Sequence, residues 1–199
     1  MLTLILGGAR SGKSDLAQRL AAASRRDVLV VATMEPRDDE LRLRVYQHQA
    51  ARPAGWRTIE EPHDVVAALE EHARPGGFVI VDCMTMWVSN LLIARLGDGD
   101  EVAAEDAAAA TEQVVGRARA LAKWAAAYDG DVAVVTNEVG LGVVPAYALG
   151  RAFRDALGGA NADLARAAGH VYYLVAGLAL ELKSLGAQPL DAFGEAPGP

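Results

Sequence analysis

One octapeptide constrains this chain more than any other stretch: Gly7-Gly8-Ala9-Arg10-Ser11-Gly12-Lys13-Ser14, which fits the phosphate-cradling pattern G-x-x-x-x-G-K-[ST]. The pattern has physical content only between a strand and a helix, and both flanks supply that setting. Leu2 to Leu6 is a short apolar run ahead of the glycines, and Asp15 to Ala23 reads as a helix after them. Glycines let the backbone approach an anion closely, and successive N–H groups then point inward as a nest. The helix that follows offers unpaired N–H groups and the positive end of its dipole. In that arrangement Lys13 reaches the β- and γ-phosphates and the Ser14 hydroxyl holds Mg²⁺. The octapeptide therefore implies a nucleoside triphosphate and leaves open what is done with it.

Strand and helix signals alternate through the rest of the chain. Asp27 to Ala32, Phe78 to Val81, Val132 to Val135 and Val171 to Val175 are buried-strand runs, with a short strand at Trp56 to Ile59. Asp38 to Ala51, His63 to His72, Thr85 to Leu96, Val102 to Tyr128 and Ala146 to Ala168 read as helices, the last in spite of Gly158-Gly159. This alternation predicts an α/β fold, a P-loop NTPase-type, mostly parallel sheet flanked by helices in a single domain. Residues 1–186 are expected to form that domain, and residues 187–199 a flexible C-terminal tail.

Composition narrows the function classes. The chain has 199 residues, 52% hydrophobic and 23% charged, enough for one domain with a sizeable core. The net charge of −7 and the lack of a basic tract leave nucleic-acid binding without an electrostatic footprint. The single cysteine, Cys83, excludes an internal disulfide. No apolar run approaches the roughly 20 residues of a membrane span. With the first strand expected to start at residue 2, no leader is expected before it, and the expected location is cytoplasmic.

In open α/β sheets, ligands bind outside the carboxyl ends of the strands. Four polar groups are expected there: the octapeptide, Thr33-Met34-Glu35, Asp82, and Thr136-Asn137-Glu138. Asp82 closes an apolar strand, the usual form of the second element of a triphosphate site, which holds the Mg²⁺ hydration shell together with Ser14. It would equally serve as the N-cap of the following helix. Thr136 to Gly140 is either a substrate- or γ-phosphate-sensing loop or an ordinary strand-to-helix connection. The stretch from Arg44 through His48 to Arg52-Pro53 carries a histidine with arginines near it. Neutral imidazole is a competent nucleophile near pH 7, although composition alone favours a solvated surface histidine.

Several of these segments agree with one family. Besides the octapeptide, Ala32-Thr33, Asp38-Asp39-Glu40, Arg44, His48, Arg52-Pro53, Trp56-Arg57-Thr58, Glu60, Asn90-Leu91-Leu92, Thr136-Asn137-Glu138-Val139-Gly140 and Phe153-Arg154-Asp155 stand in family order. The chain resembles the bifunctional adenosylcobinamide kinase/adenosylcobinamide-phosphate guanylyltransferase family of cobalamin biosynthesis. The resemblance implies two activities with GTP, ATP and Mg²⁺. Adenosylcobinamide is phosphorylated on its aminopropanol arm; GTP then guanylylates a histidine, and GMP passes to adenosylcobinamide phosphate. By spacing to Arg52-Pro53, the guanylylated histidine corresponds to His48, with Lys13 as the second catalytic residue. The nucleotide contacts implied are Gly7, Gly8, Ala9, Arg10, Ser11, Gly12, Lys13, Ser14, Thr33, Met34, Glu35, Gln49, Ala50, Ala51, Arg52, Glu60 and Asp82. A homo-oligomer is implied as well. Gln47 stands where some members have a second histidine, and Asp82 where some have Glu. The competing expectations are a single-activity P-loop kinase for another small molecule and a non-catalytic GTP-binding regulator.

Overall fold

A computed structural model describes residues 1–35, 52–99 and 101–194. The elements in chain order are β1 (Leu2–Gly7), α1 (Lys13–Ser24), β2 (Val28–Ala32), β3 (Arg57–Glu60), α2 (Val65–His72), β4 (Phe78–Asp82), α3 (Met84–Leu96), α4 (Ala104–Ala127), β5 (Asp131–Asn137), α5 (Ala148–Ala167), β6 (His170–Val175) and β7 (Leu178–Glu181), followed by a 3₁₀ turn at Leu190–Phe193. The helix expected over Asp38 to Ala51 lies outside the described residues.

The strands form one seven-stranded sheet in the order β3-β2-β4-β5-β1-β6-β7. Every neighbouring pair is parallel except β6 with β7. The central strands are buried on both faces, as parallel strands covered by helices must be, which is why they read as unbroken apolar runs rather than alternating ones. Successive side chains point to opposite faces and divide the core in two. Ile5, Val28, Val30, Ile80, Ala133 and Val135 meet Ala17 and Ala21 of α1. Leu4, Leu29, Val31, Val79, Val81, Val132 and Val134 meet α2, α3, α4 and α5 on the other face.

The Ala-rich helix α4 buries Ala110, Val114, Ala118, Leu121, Ala122 and Ala125, a stripe at helical spacing. Opposite it, α5 buries Ala152, Ala156, Leu157, Ala160, Asn161 and Leu164. Small side chains on both helices permit close approach. A Cβ at Gly159 would stand 2.9 Å from Val115 Cγ2, so the glycine that weakens α5 as a helix former is what lets α4 approach. The Arg119 guanidinium crosses to Asp163 at 2.6 Å along the rim of that contact.

Strand β7 was not expected from the sequence. It pairs antiparallel with β6 through the two-residue turn Ala176-Gly177, in which both residues take positive φ, 51° and 80°. That is the backbone of a tight hairpin, but Ala at the first position is not the Asn or Asp that usually announces one. The turn at Leu190–Phe193 lies within the expected tail, and Asp191 stands 3.5 Å from Arg166 of α5. Among the described residues no helix is long and apolar enough to cross a membrane.

Leu157 is fully buried within the core on the α4–α5 side of the sheet. Leu157→Ala is expected to cost about 2–5 kcal/mol, because the lost transfer energy is joined by the cavity left behind. A urea titration would register this as a lower midpoint with an unchanged slope.

Candidate active site

The glycine-rich loop grows directly out of β1. Gly7 is the last residue of that strand, and a Cβ there would stand 2.4 Å from the Leu174 carbonyl oxygen of β6. No other residue fits between the two backbones. The loop then turns through left-handed conformations at Arg10 (φ 55°) and Gly12 (φ 97°), and α1 begins at once with Lys13 and Ser14. Gly12 accepts the Leu16 amide at 2.9 Å, so the loop and the first helical turn are one rigid piece. Gly8, Ala9 and Arg10 are exposed, while Ser11 and Lys13 are buried. The helix starts two residues earlier than expected from the sequence, which places both functional side chains on its first turn.

Lys13 is only 8% exposed, and its ammonium donates to Gly8 O at 2.6 Å and to Ser11 Oγ at 3.5 Å. Burial pushes its pKa below the ordinary 10.5, against the opposing influence of Cys83 and Asp82. The Cys83 thiol is itself pushed up to about 11, by burial first and by Asp82 second. It is therefore neutral near pH 7, and the carboxylate of Asp82 is the charge that Lys13 feels there.

The parallel register brings the other polar groups to the same edge. Ala32 pairs with Glu60 on one side and with Asp82 on the other; Asp82 pairs with Val135, and Gly7 with Asn137. Ser14 Oγ donates to Asp82 Oδ1 at 3.3 Å, across the strand that separates β1 from β4. The N-cap of α3 is Cys83, so Asp82 faces the loop instead of capping the helix. A hydroxyl and a carboxylate meeting beside a phosphate cradle are hard oxygen donors of the kind Mg²⁺ selects, and they fit that ion. Arg52 donates from Nη1 to Thr58 Oγ1 at 3.2 Å. Burial lowers its pKa, while the charges of Asp82 and Glu60 pull the other way, so the guanidinium lies within the field of both carboxylates. Lys13, Ser14, Arg52, Glu60 and Asp82 thus form one constellation. Met34 and Glu35 follow β2, half-buried. His48, Gln49, Ala50 and Ala51 lie outside the described residues.

Buried polar side chains hold this edge in place. Thr33, fully buried, donates from Oγ1 to Cys83 O at 2.6 Å and accepts from Cys83 N at 2.9 Å. Its hydroxyl is thereby committed to the backbone beside Asp82. Asn90 of α3 donates to Thr33 O at 2.7 Å and to Pro62 O at 3.2 Å, tying the ends of β2 and β3 to that helix. Asn161 of α5 accepts from Thr136 Oγ1 at 2.8 Å and donates to Asn137 O at 3.0 Å. Thr85 Oγ1 accepts from Asn137 N at 2.9 Å, and Glu138 N donates to Gly7 O at 3.3 Å. The sequence reading assigned no role to Asn90, Asn161 or Thr85. The available signal was an asparagine at an otherwise apolar, inward-facing helix position, where a buried amide needs partners.

A parallel sheet with a glycine-rich loop feeding a helix, a lysine and a serine on its first turn, and an aspartate reached across one strand define a P-loop nucleoside-triphosphate-binding protein. A solved ATPase from the type III secretion system of pathogenic bacteria has the same fold, with a TM-score of 0.51 at 13% identity over 96% of this chain and 59% of that one. The chain belongs to the cobinamide kinase/cobinamide phosphate guanyltransferase family, whose sequence profile matches residues 3–182. It is 40% identical over 183 residues to the bifunctional adenosylcobalamin biosynthesis protein of Pseudomonas aeruginosa, covering 92% of this chain and 98% of that one. The corresponding bifunctional protein of Escherichia coli is 37% identical, with 92% and 100% covered. The protein is accordingly an enzyme of cobalamin biosynthesis with a kinase/guanylyltransferase role.

The lowered pKa of Lys13 has a measurable consequence. Its ammonium loses the proton at a lower pH than an ordinary lysine, so the attraction for a triphosphate weakens as pH rises, beginning below 10.5. Titrating nucleotide affinity from neutral pH to about pH 10 is expected to show that decline. Lys13→Arg, which stays charged throughout, is expected to flatten it.

Proposed function

We propose that one domain performs two group transfers in sequence, a phosphoryl transfer and then a guanylyl transfer. In the first, the hydroxyl of the aminopropanol arm of adenosylcobinamide attacks the γ-phosphorus of ATP or GTP. An O–P bond forms, the bond to the nucleoside diphosphate breaks, and the hydroxyl proton leaves to solvent. In the second, a ring nitrogen of His48 attacks the α-phosphorus of GTP, forming an N–P bond as pyrophosphate departs. A phosphate oxygen of adenosylcobinamide phosphate then attacks the same phosphorus, the N–P bond breaks, and adenosylcobinamide-GDP is released. Splitting guanylyl transfer through a covalent histidine turns one difficult displacement into two easier ones.

The observation that carries this reading is the meeting of Lys13, Ser14, Arg52 and Asp82 at one sheet edge in a chain of this family. The loop amides and Lys13 neutralise charge on the phosphoryl oxygens, and the fixed lysine does so without reorganising. Arg52, tied to Thr58, adds a second cation beside the carboxylates. Ser14 and Asp82 would hold Mg²⁺, which neutralises the charge that develops on the phosphates. His48 is assigned from the sequence, four residues before Arg52-Pro53. Its nucleophilicity requires the neutral imidazole.

Incubation with α-labelled GTP tests the histidine. The wild-type protein is expected to acquire acid-labile covalent label, and His48→Ala none, while His48→Ala still phosphorylates adenosylcobinamide. Equal labelling of mutant and wild type removes the assignment. Lys13→Ala is expected to slow both reactions by about 10²–10³-fold, the usual cost of losing a preorganised charge at a reacting phosphoryl group. A single-activity kinase for another small molecule would transfer a phosphoryl group and never acquire covalent label.

A further inference from the structure

The loop 138–147 leaves β5 beside the phosphate site, and its apolar side chains are not absorbed by the core. Leu141 is 81% exposed, Val143 95%, Val144 59% and Tyr147 52%. Four large apolar side chains in one ten-residue loop make a patch of the kind that marks an interaction site. The loop is nevertheless held. At its start Glu138 N donates to Gly7 O and the Glu138 carboxylate accepts from Gly140 N at 2.6 Å. At its end Arg151 donates to Pro145 O at 3.0 Å and to Ala146 O at 2.7 Å. Tyr147 lies against Gly150, where a Cβ would stand 2.7 Å from the ring. Glycine at that position lets the ring rest on the helix and keep its outer side open.

Beside Tyr147 a cavity of about 200 Å³ opens between α3 and α5, lined by Ser89, Ile93, Leu149, Gly150 and Phe153 as well as by Tyr147. Ser89 lies one helical turn beyond Thr85, which binds the Asn137 amide at the carboxyl end of β5. The apolar loop and the cavity therefore both lie toward the carboxyl end of β5, the sheet edge that carries the glycine-rich loop.

We infer that this surface, made by Leu141, Val143, Val144 and Tyr147 with the adjoining cavity, docks the corrin ring of the cobinamide acceptor. The inference rests on the function proposed above. The acceptor chemistry fits: a corrinoid is a broad, largely apolar macrocycle fringed with carboxamides, and its reacting hydroxyl ends one flexible arm. Such a ring is far too wide for the crevice between the nucleotide loop and Asp82. It must rest outside while the arm reaches in. The exposed loop offers an apolar platform with one aromatic ring fixed on it, suited to a flat macrocycle. The cavity is the size of a side arm and carries the Ser89 hydroxyl among apolar walls, which suits a peripheral carboxamide. Binding energy gathered at a distance from the reacting atoms then positions the hydroxyl at the γ-phosphorus.

The test compares wild type with Val143→Asp, Tyr147→Ser and Tyr147→Phe in three measurements: KM for adenosylcobinamide in phosphorylation, KM for nucleotide, and covalent labelling by α-labelled GTP without corrinoid. Val143→Asp and Tyr147→Ser are expected to raise the corrinoid KM by about tenfold or more, the effect of losing one well-buried apolar contact. Nucleotide KM and labelling are expected to stay within about twofold of wild type, and Tyr147→Phe to behave as wild type, because the ring face and not the hydroxyl is used. A corrinoid KM unchanged in both polar variants overturns the docking surface and leaves the proposed function standing. So does a change of sedimentation to a smaller species with unchanged KM, which would assign the patch to contacts between copies of this chain. Wild-type protein that labels with GTP yet phosphorylates no corrinoid overturns the acceptor itself, and the docking surface with it.

Discussion

Everything at the active edge depends on the parallel pairing of β1, β5 and β4. With β5 inserted between them, the loop after β1 and the carboxylate at the end of β4 are neither adjacent nor remote, and one strand's width separates them. Ser14 spans that width to Asp82 at 3.3 Å. Two consequences follow from the same geometry. The glycine-rich loop and the Asp82 carboxylate stand on either side, and Asn137 at the tip of β5 pairs with Gly7 between them. A slip of β5 by one residue would reverse its buried faces, so the apolar core that fills both sides of the sheet also enforces the alignment of the site.

Burial makes the site's charges expensive and therefore effective. Lys13 is held in a place where its charged form is disfavoured, compensated by the Gly8 carbonyl and by Asp82. An anion bound there would complete that compensation, and interactions are stronger there than in water because the surroundings polarise less. The supporting shell follows the same logic. Thr33 and Asn90 are buried polar residues that bond backbone groups at strand ends, and buried Asn161 bonds the Thr136 hydroxyl and the Asn137 carbonyl there. Each fastens a strand terminus to a helix or a neighbouring strand. Loops at such ends would otherwise be the least restrained part of an α/β sheet.

Much of the fold was legible because parallel strands covered on both faces must be continuously apolar, and amphipathic helices must repeat at 3.6 residues. The runs at Phe78 to Val81 and Val132 to Val135 obey the first rule, and α4 obeys the second. Strand β7 was not legible. It is short and largely exposed, and it depends on a turn whose first residue, Ala176, is not a turn former. At the site, Lys13, Ser14 and Asp82 could be chosen because a motif with a mechanism names them. Asn90, Asn161 and Thr85 could not, since their partners lie 24 to 57 residues away in sequence and only the packing of α3 and α5 on the sheet brings them together.

The sequence alone determined the local chemistry: a glycine loop that nests phosphate, a lysine and a hydroxyl placed by the first helical turn, and strands too apolar to be left uncovered. These follow from steric and periodic rules that act over a few residues. Tertiary structure decided the strand order, and hence that Asp82 meets Ser14 across β5 while Arg52 lies in the field of Glu60 and Asp82. It also decided that Leu141, Val143 and Val144 remain outside the core although they are as apolar as residues within it. Which apolar groups are buried is a property of the assembled sheet and its helices, because burial is shared among segments distant in the chain and no segment can settle it for itself.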